Sequence, residues 1–307
     1  MTKERRKFKQ IVCLDNTKLE DWALNALKEI SITEPRVYQG YPDANDENEI
    51  RNRIENADCV LVSLNTPMSA NVLSQCQNLE YIGLCCSLLD RSSCNVDVEE
   101  AARRGIEVRG VKDYADEGVV EFLFGQLISL AKGLHGIQWK DRPTELHGKS
   151  LGVIGLGTLG KMVAKTALAF GMKVYYYSRT RKKGLESENL VYLPLNDLLP
   201  TVDVVSTHLP RNNRLLGKQA FSLMKENSVL VNTSLGPTYE IDAFEAWIGR
   251  GISYAIVDSD GARGHEALLR KYKNVIYSDK SAGGTDMAYK RLSQKVLQNA
   301  YDYLGKP

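Results

Sequence analysis

Ser150–Phe170 reads SLGVIGLGTLGKMVAKTALAF, and its centre is Gly155-Leu156-Gly157-Thr158-Leu159-Gly160. A buried apolar run leads into the first glycine, and a helical pattern, read over Lys161 to Phe170, follows the third. That strand–turn–helix context makes a G-x-G-x-x-G informative. The first glycine permits a tight turn, the second lets the backbone approach a pyrophosphate, and the third lets helix and strand pack closely. The anion would rest on the helix N-terminus, where unpaired N–H groups and the helix dipole favour it, with Thr158, Leu159 and Gly160 of the turn as cofactor contacts. A glycine-rich turn without a ligand is the bland alternative.

Outward from this turn the chain alternates strands and helices. Strands are expected at Val174–Tyr177, Val202–Ser206, Val229–Val231, Tyr254–Val257 and Val275–Tyr277. A first series precedes it, with strands at Gln10–Leu14, Arg36–Tyr38, Cys59–Val62, Tyr81–Cys85 and Ile106–Val108. Leu19, Ala23, Ala26, Leu27 and Ile30 share one helical face, and further helices are expected at Glu49–Ala57 and Val98–Arg104. A long apolar helix from about Asp116 to Leu134, a polar connector at Lys140–Gly148 and a closing amphipathic helix at Met287–Leu304 complete the pattern. Repeated β-α units of this length imply parallel sheets covered by helices on both faces. A length of 307 residues fits two such domains.

The end of the strand after the glycine turn bears on which nucleotide binds. NAD sites place Asp or Glu about 20 residues on, to accept from the ribose hydroxyls. Here Tyr175-Tyr176-Tyr177 runs into Ser178-Arg179-Thr180-Arg181-Lys182-Lys183, with no carboxylate and four cations. A 2′-phosphate would be welcomed by Ser178, Arg179 and Thr180, arginine offering a planar fork. The expected cofactor is therefore NADP(H) in preference to NAD(H). The alternation of the three tyrosines across a strand makes them packing plus a pocket wall.

Bulk properties set further bounds. A net charge of +2 argues against nucleic acid or an anionic membrane surface as partner. No apolar run reaches the roughly 18 residues of a membrane span. The start, MTKERRKFKQ, is charged with no apolar stretch behind it, so no secretory signal is expected. The six cysteines, Cys13, Cys59, Cys76, Cys85, Cys86 and Cys94, form no C-x-x-C pair, and the four histidines are not spaced with them as ligands. Buried free thiols in a reducing cytoplasm are expected, and no metal site.

Taken together, LHGKSLGVIGLGTLGKMVAKTALAFGMKVYYYSR, LNDLLPTVDVVSTHLP, MKENSVLVNTSLG and NVIYSDKSAGGTD, with EAARRGIEV and VVEFLFGQLISLA earlier, resemble the D-2-hydroxyacid dehydrogenase family. The resemblance implies a Rossmann nucleotide-binding domain over residues 114–286. A flavodoxin-like substrate domain would be made of 1–113 and 287–307, with the active site in the cleft and a homodimer through the nucleotide domain. It also implies that His208-Leu209-Pro210 lines the adenosine pocket with backbone at His208 and Pro210, and that Thr233, Ser234 and Gly283 approach the cofactor. Asp258 would meet the nicotinamide carboxamide, or else simply cap a turn.

The sequence departs from the family where its chemistry lies. Family members carry an arginine after the element matching Asn232-Thr233-Ser234, and here Leu235 stands there. Beyond Asp258 no glutamate occurs at the expected step, although Glu266 could be brought into range by a gap. His265 in that loop reads as a surface histidine, with replacement of the missing base as the alternative. The family's catalytic histidine corresponds to Lys280. As a general acid Lys280 would act from a partly buried site; it could instead bind an anion, or be a loop lysine paired with Asp279. The family's carboxylate-binding loop is altered to Cys85-Cys86-Ser87-Leu88-Leu89-Asp90, with an apparent insertion, Arg91-Ser92-Ser93-Cys94. Asn65, Ser87 and Leu235 are candidate substrate contacts. The reading is an NADP-dependent oxidoreductase acting on a carbonyl or imine substrate that is not an ordinary 2-keto acid. The rival is an inactive NADP(H)-binding protein serving as sensor or interaction partner.

Overall fold

The computed structural model describes residues 6–88, 94–134 and 136–305. The chain divides into two compact units: one from Met1–Tyr114 with Asp286–Pro307, the other Ala115–Thr285.

In the first unit, β1 (Ile11–Cys13), β2 (Arg36–Val37), β3 (Cys59–Val62), β4 (Tyr81–Ser87) and β5 (Glu107–Val111) form one sheet in the order β2-β1-β3-β4-β5. Every pairing is parallel, and the order is the flavodoxin-like one. Helices α1 (Asp21–Glu29), α2 (Glu47–Ile54), α3 (Ala70–Gln75), α4 (Val98–Arg103) and α12 (Asp286–Leu304) cover it. Strand alternation splits the buried residues between two cores. Val12, Val60, Val62, Ile82 and Leu84 face α2 and its neighbours, while Ile11, Cys13, Leu61 and Tyr81 face Leu27 of α1 and Leu292 and Val296 of α12.

Some boundaries differ from the sequence reading for local reasons. Helix α2 begins two residues early because Asp46 caps it, Oδ1 accepting from the N–H of Asn48 and Glu49 at 3.0 Å. It stops at Ile54 because Glu55 takes φ 48°, in the left-handed region. The unforeseen α3 is capped by Ser69, whose Oγ accepts from Val72 N–H at 3.2 Å; six residues are too few to show a helical period.

In the second unit, α5 (Asp116–Lys132) precedes β6 (Ser150–Ile154), α6 (Thr158–Ala169), β7 (Lys173–Tyr177) and β8 (Leu190–Tyr192). There follow α7 (Leu195–Thr201), β9 (Val204–Thr207), α8 (Lys218–Leu223), β10 (Val229–Asn232) and α9 (Ile241–Ile248). The unit closes with β11 (Tyr254–Val257), α10 (Ser259–Ala262), α11 (Glu266–Leu269) and β12 (Val275–Tyr277). The sheet order is β12-β11-β10-β9-β6-β7-β8, all parallel. Strand order reverses between β6 and β9, the crevice where doubly wound sheets hold their ligands. Leu151, Val153, Tyr176, Val204 and Val231 pack toward α5 and α6, and Ile154, Val205, Leu230 and Val257 toward the opposite face. Both units are thus α/β with parallel sheets: a Rossmann unit and a flavodoxin-like unit. Among the described residues, no helix is long and apolar enough to cross a membrane.

Candidate nucleotide site and the turns around it

The glycine turn sits at the strand-order reversal, and its three glycines have different surroundings. The N–H of Gly155 donates to the carbonyl of Tyr177 at 2.8 Å, and that of His208 to Ile154 at 2.8 Å, tying the ends of β7 and β9 to β6. Gly155 has φ +99°, and a Cβ there would lie 2.2 Å from the His208 carbonyl oxygen. A Cβ on Gly160 would lie 2.0 Å from the Gly155 carbonyl oxygen. Chain packing alone therefore requires glycine at both positions. At Gly157 a Cβ would meet nothing within 4 Å. Gly157 is the N-cap of α6 and supplies no side-chain acceptor; the first intrahelical bond is Lys161 N–H to its carbonyl at 3.0 Å. Helix α6 thus begins at Thr158, three residues earlier than the sequence pattern implied, and presents the N–H groups of Thr158, Leu159 and Gly160 at the open side of the turn. Open space, unpaired donors and the positive end of a helix dipole suit an anionic group that comes close to backbone.

Beside this turn, Ser178 follows β7 and folds the chain back by donating Oγ–H to the Thr180 carbonyl at 2.6 Å. Arg179 and Thr180 are exposed, and Arg179 has no ion-pair partner among the described residues. Arg181 is occupied: Nε and Nη2 reach Oε1 and Oε2 of Glu186 at 2.8 and 2.7 Å. Its guanidinium also lies over the Tyr192 ring, 5.2 Å from the centroid. Tyr176 faces one core and half-buried Tyr175 and Tyr177 the other, as strand alternation requires.

The turn after β10 is satisfied from within. Asn232 Oδ1 accepts from Ser234 N–H at 3.2 Å and Thr207 Oγ at 3.1 Å, while Nδ2 donates to the carbonyls of Gly236 and Gly261, each at 3.2 Å. Ser234 Oγ donates to the Thr207 carbonyl at 3.1 Å and accepts from Leu209 N–H at 3.2 Å. Thr233 Oγ1 is buried and has no hydrogen-bond partner among the described residues. Leu235 is half-buried. His208 Nε2 lies 3.0 Å from Ser206 Oγ, and burial lowers this histidine to about 4, which leaves it neutral near pH 7. Pro210 is half-buried beside it.

The turns after β11 and β12 are knitted together. Asp258 is buried, with Oδ1 accepting from Gly261 N–H and Oδ2 from Ala282 N–H, both at 2.8 Å. Both oxygens are thus engaged by backbone, the arrangement of a turn cap. Burial pushes its carboxyl up to about 6, against the two N–H donors and with a smaller push from Asp260. Ser281 Oγ donates to Asp260 Oδ2 at 2.5 Å, and Ser259 N–H donates to the Lys280 carbonyl at 3.3 Å. The backbone of Lys280 is therefore held from both sides, with its own N–H on Ser278 Oγ at 3.2 Å. Its side chain is exposed, not partly buried, and forms no ion pair with Asp279. A Cβ on Gly283 would lie 3.0 Å from Ala115 Cβ, so this glycine lets the turn press against the start of α5.

His265 corrects the sequence reading. It is buried, not on the surface, with Nε2 2.9 Å from Tyr239 Oη, and burial lowers its pKa. Glu266 accepts from Gly264 N–H through Oε1 at 3.1 Å, a local bond at the start of α11. Asp260, Arg263, Ser281 and Glu186 went unnoticed in the sequence, because their importance comes from contacts between separate turns. Arg263 Nη2 lies 3.7 Å from Asp260 Oδ1, a spacing of three residues that gave the one local hint.

In the first unit, Ser87 ends β4, half-buried, and Asn65 is exposed with its N–H on Ser63 Oγ at 3.1 Å. That loop is shaped by buried Asp15, which accepts from Ser63 N–H at 3.0 Å, Ser63 Oγ at 2.7 Å and Thr66 Oγ1. Cys85 and Cys86 are buried free thiols. Leu89 to Ser93, which hold most of the apparent insertion and the end of the altered loop, lie outside the described residues.

Residues 124–278 match the model of the family described as D-isomer specific 2-hydroxyacid dehydrogenase, NAD binding domain. A glyoxylate reductase of Thermococcus gammatolerans is 31% identical over 231 residues, spanning 67% of this chain and 68% of that protein. A hydroxypyruvate reductase of Blautia hydrogenotrophica is 28% identical over 286 residues, spanning 85% and 87%. Among solved structures, an acyclic imino acid reductase in complex with NADPH and D-Arg superposes with a TM-score of 0.80 at 24% identity, covering 96% of this chain and 97% of that one. A D-lactate dehydrogenase of Aquifex aeolicus with NAD and lactic acid gives 0.78 at 24% identity, covering 96% and 95%. At these identities the structural likeness speaks for the fold. The matched segment is a nicotinamide-dinucleotide binding domain, and the chain belongs to the D-isomer specific 2-hydroxyacid dehydrogenase family.

Proposed function

We propose that this protein is an oxidoreductase that prefers NADP(H) and passes a hydride between the nicotinamide and a carbonyl or imine carbon, on a substrate other than an ordinary 2-keto acid. The observation that carries cofactor binding is Gly157, the one glycine of the turn whose missing side chain no protein contact explains. Exposed Arg179, with Ser178 and Thr180 beside it and no carboxylate at the strand end, supports the 2′-phosphate. Leu235 supports a substrate that does not rely on an arginine clamp for its anion.

When bound, the reduced nicotinamide supplies hydride. The chain's own part is to hold the pyrophosphate on Thr158, Leu159 and Gly160 and to bring a proton to the oxygen or nitrogen that gains charge. Lys280, on a backbone fixed by Ser278, Ser259 and the Asp258–Ala282 bond, is the residue assigned to that proton. The reading assigns residues 114–286 to the cofactor and 1–113 with 287–307 to the substrate, in a homodimer as the family resemblance implies, in the reducing cytoplasm that the cysteine usage suggests. The exposed Lys280 side chain, with no ion pair among the described residues, favours a second reading, an NADP(H)-binding protein without turnover.

Calorimetric titration with NADPH and NADH tests the cofactor, and tighter NADH binding overturns the assignment of Arg179. An absorbance screen of keto, aldehyde and imine compounds for NADPH oxidation tests the activity. The acyclic imino acid reductase of this fold makes imines worth including. Turnover lost in Lys280→Ala with NADPH binding intact supports the enzyme. Binding with no turnover on any compound supports the second reading.

A further inference from the structure

Of the four cations that follow β7, one is bound in a network that the sequence does not announce. Arg181 and Glu186 form a bidentate pair through two bonds of 2.8 and 2.7 Å, the fork geometry that fixes direction as well as charge. Oε1 of Glu186 accepts a second bond, from Tyr176 Oη–H at 2.9 Å. Tyr176 belongs to β7 and is fully buried; its hydroxyl oxygen in turn accepts from Lys182 N–H at 2.8 Å. The Tyr192 ring of the edge strand β8 lies under the Arg181 guanidinium and edge-on to Tyr176, with ring centroids 5.4 Å apart. The Glu186 side chain, 19% exposed, therefore joins the turn to β7 directly and, through Arg181, to β8. It also stays ionised under all ordinary conditions, held at about 2 chiefly by the Arg181 bond.

The consequence for the neighbouring residues is geometric. With Arg181 directed onto Glu186 and the Lys182 backbone pinned to Tyr176, the turn from Ser178 to Lys182 is anchored at its far end. At its near end it is anchored by the Gly155 N–H to Tyr177 carbonyl bond and by Ser178 Oγ on Thr180. Arg179 lies between these anchors, exposed and without a carboxylate partner among the described residues.

We infer that Glu186 is a specificity-positioning residue for the cofactor: by engaging Arg181 and the Tyr176 hydroxyl it fixes the course of the 178–182 turn, so that Arg179 alone among the arginines there is presented to a ribose 2′-phosphate. This rests on the NADP(H) reading above. A turn free to wander spreads Arg179 over many positions and lowers the share of the chain that is competent to clasp the phosphate, and apparent affinity falls with that share. NADH has no phosphate at this place and is indifferent to it.

The test is titration of NADPH and NADH against wild type, Arg179→Ala, Arg181→Ala, Glu186→Gln and the double variant Glu186→Gln/Arg181→Ala, with thermal melts to show that each is folded. In wild type NADPH binds more tightly than NADH, and Arg179→Ala removes most of that preference. Glu186→Gln lowers the ratio of NADPH to NADH affinity about threefold or more, with NADH affinity unchanged within twofold. Arg181→Ala lowers the ratio to a similar degree, because it breaks the same anchor, and the double variant is no worse than either single one. The inference is overturned if Glu186→Gln leaves the ratio unchanged, or weakens both cofactors equally with a lower melting temperature, the mark of general loosening. It is also overturned if Glu186→Gln raises the ratio, since Glu186 would then act only as a repelling charge. A wild type that prefers NADH, or a preference untouched in Arg179→Ala, refutes the underlying NADP(H) reading itself, and is seen without any Glu186 variant.

Discussion

Replacing Gly157 by alanine separates a glycine kept for a ligand from glycines kept for packing. Gly157 has φ −80° and ψ −159°, which alanine adopts freely, and its Cβ would meet no atom within 4 Å. The folded chain loses only the difference between glycine and alanine as an N-cap, about 0.5–1 kcal/mol. For a unit of this size each kcal/mol moves the melting temperature by about 2–4 °C, so Gly157→Ala should melt within about 4 °C of wild type. A methyl group there holds a phosphate away from the N–H groups of the first turn of α6. Losing one such charge-assisted bond costs about 1.5–3 kcal/mol. At about 1.4 kcal/mol per factor of ten, the dinucleotide Kd rises about 10- to 100-fold. Gly160→Ala makes the opposite case, because its Cβ would sit 2.0 Å from a backbone oxygen. Overpacking of that kind costs about 1–3 kcal/mol or more, lowering the melting temperature by several degrees even without cofactor. Differential scanning fluorimetry of the apo proteins and NADPH titration of each provide both readouts. A Gly157→Ala protein that binds NADPH as wild type does, or that melts as low as Gly160→Ala, refutes the assignment of this turn.

Three further outcomes are expected. Lys280→Ala should lower turnover about 10²- to 10⁴-fold, the range of a lost general acid, and leave NADPH affinity within twofold, as single-turnover rates and titration would show. The Asp258 carboxyl, raised to about 6 in the folded chain from an ordinary 3.8, binds its proton more readily folded than unfolded. Its contribution is therefore fully present below about pH 4 and lost as pH rises through 6, by up to about 3 kcal/mol; urea melts across that window should show the decline in wild type and a flatter profile in Asp258→Asn. With Cys13, Cys59, Cys76, Cys85 and Cys86 buried and Cys94 half-buried, a brief exposure of the native protein to a maleimide should label Cys94 first, as peptide mass spectrometry would read, and buried Cys13, pushed up to about 12 by burial, should react only on unfolding.

The alternation of apolar runs and helical faces made both parallel sheets legible, because buried parallel strands such as Val229–Asn232 carry no polar residue until their end. The glycine turn was legible because three separate steric demands fall on a fixed spacing. Short elements were not: β8 is an edge strand of three half-buried residues, and α10 and α11 are four residues each, too brief for a period to register. The candidate site was legible in part. Arg179 and Lys280 stand out by being where a carboxylate and a histidine are otherwise expected. Glu186 does not, since a carboxylate five residues beyond Arg181 fits an ordinary solvated loop until the buried Tyr176 hydroxyl is found beside it. His265 looked like surface because its loop is polar; its burial depends on Tyr239, 26 residues away.

The last helix gives the first unit an order of assembly. Tyr303 stacks on Phe8 with ring centroids 5.5 Å apart and touches Tyr81 at 4.8 Å, and Leu292, Val296 and Leu297 fill the same core as Ile11 and Leu27. The Asn299 carbonyl accepts from Arg109 at 2.8 Å, and Ser293 Oγ accepts from Glu20 N–H at 2.9 Å. A ribosome delivers the strands of that sheet first and their covering helix last, with the whole of Ala115–Thr285 in between. During synthesis at about 5–20 residues per second, one face of the early sheet therefore waits on the order of ten seconds or more for its cover. The middle unit, continuous in sequence, can close first. Nascent chains halted before Asp286 should accordingly bind holdase chaperones through the Phe8, Ile11 and Tyr81 face, and release them once α12 has emerged.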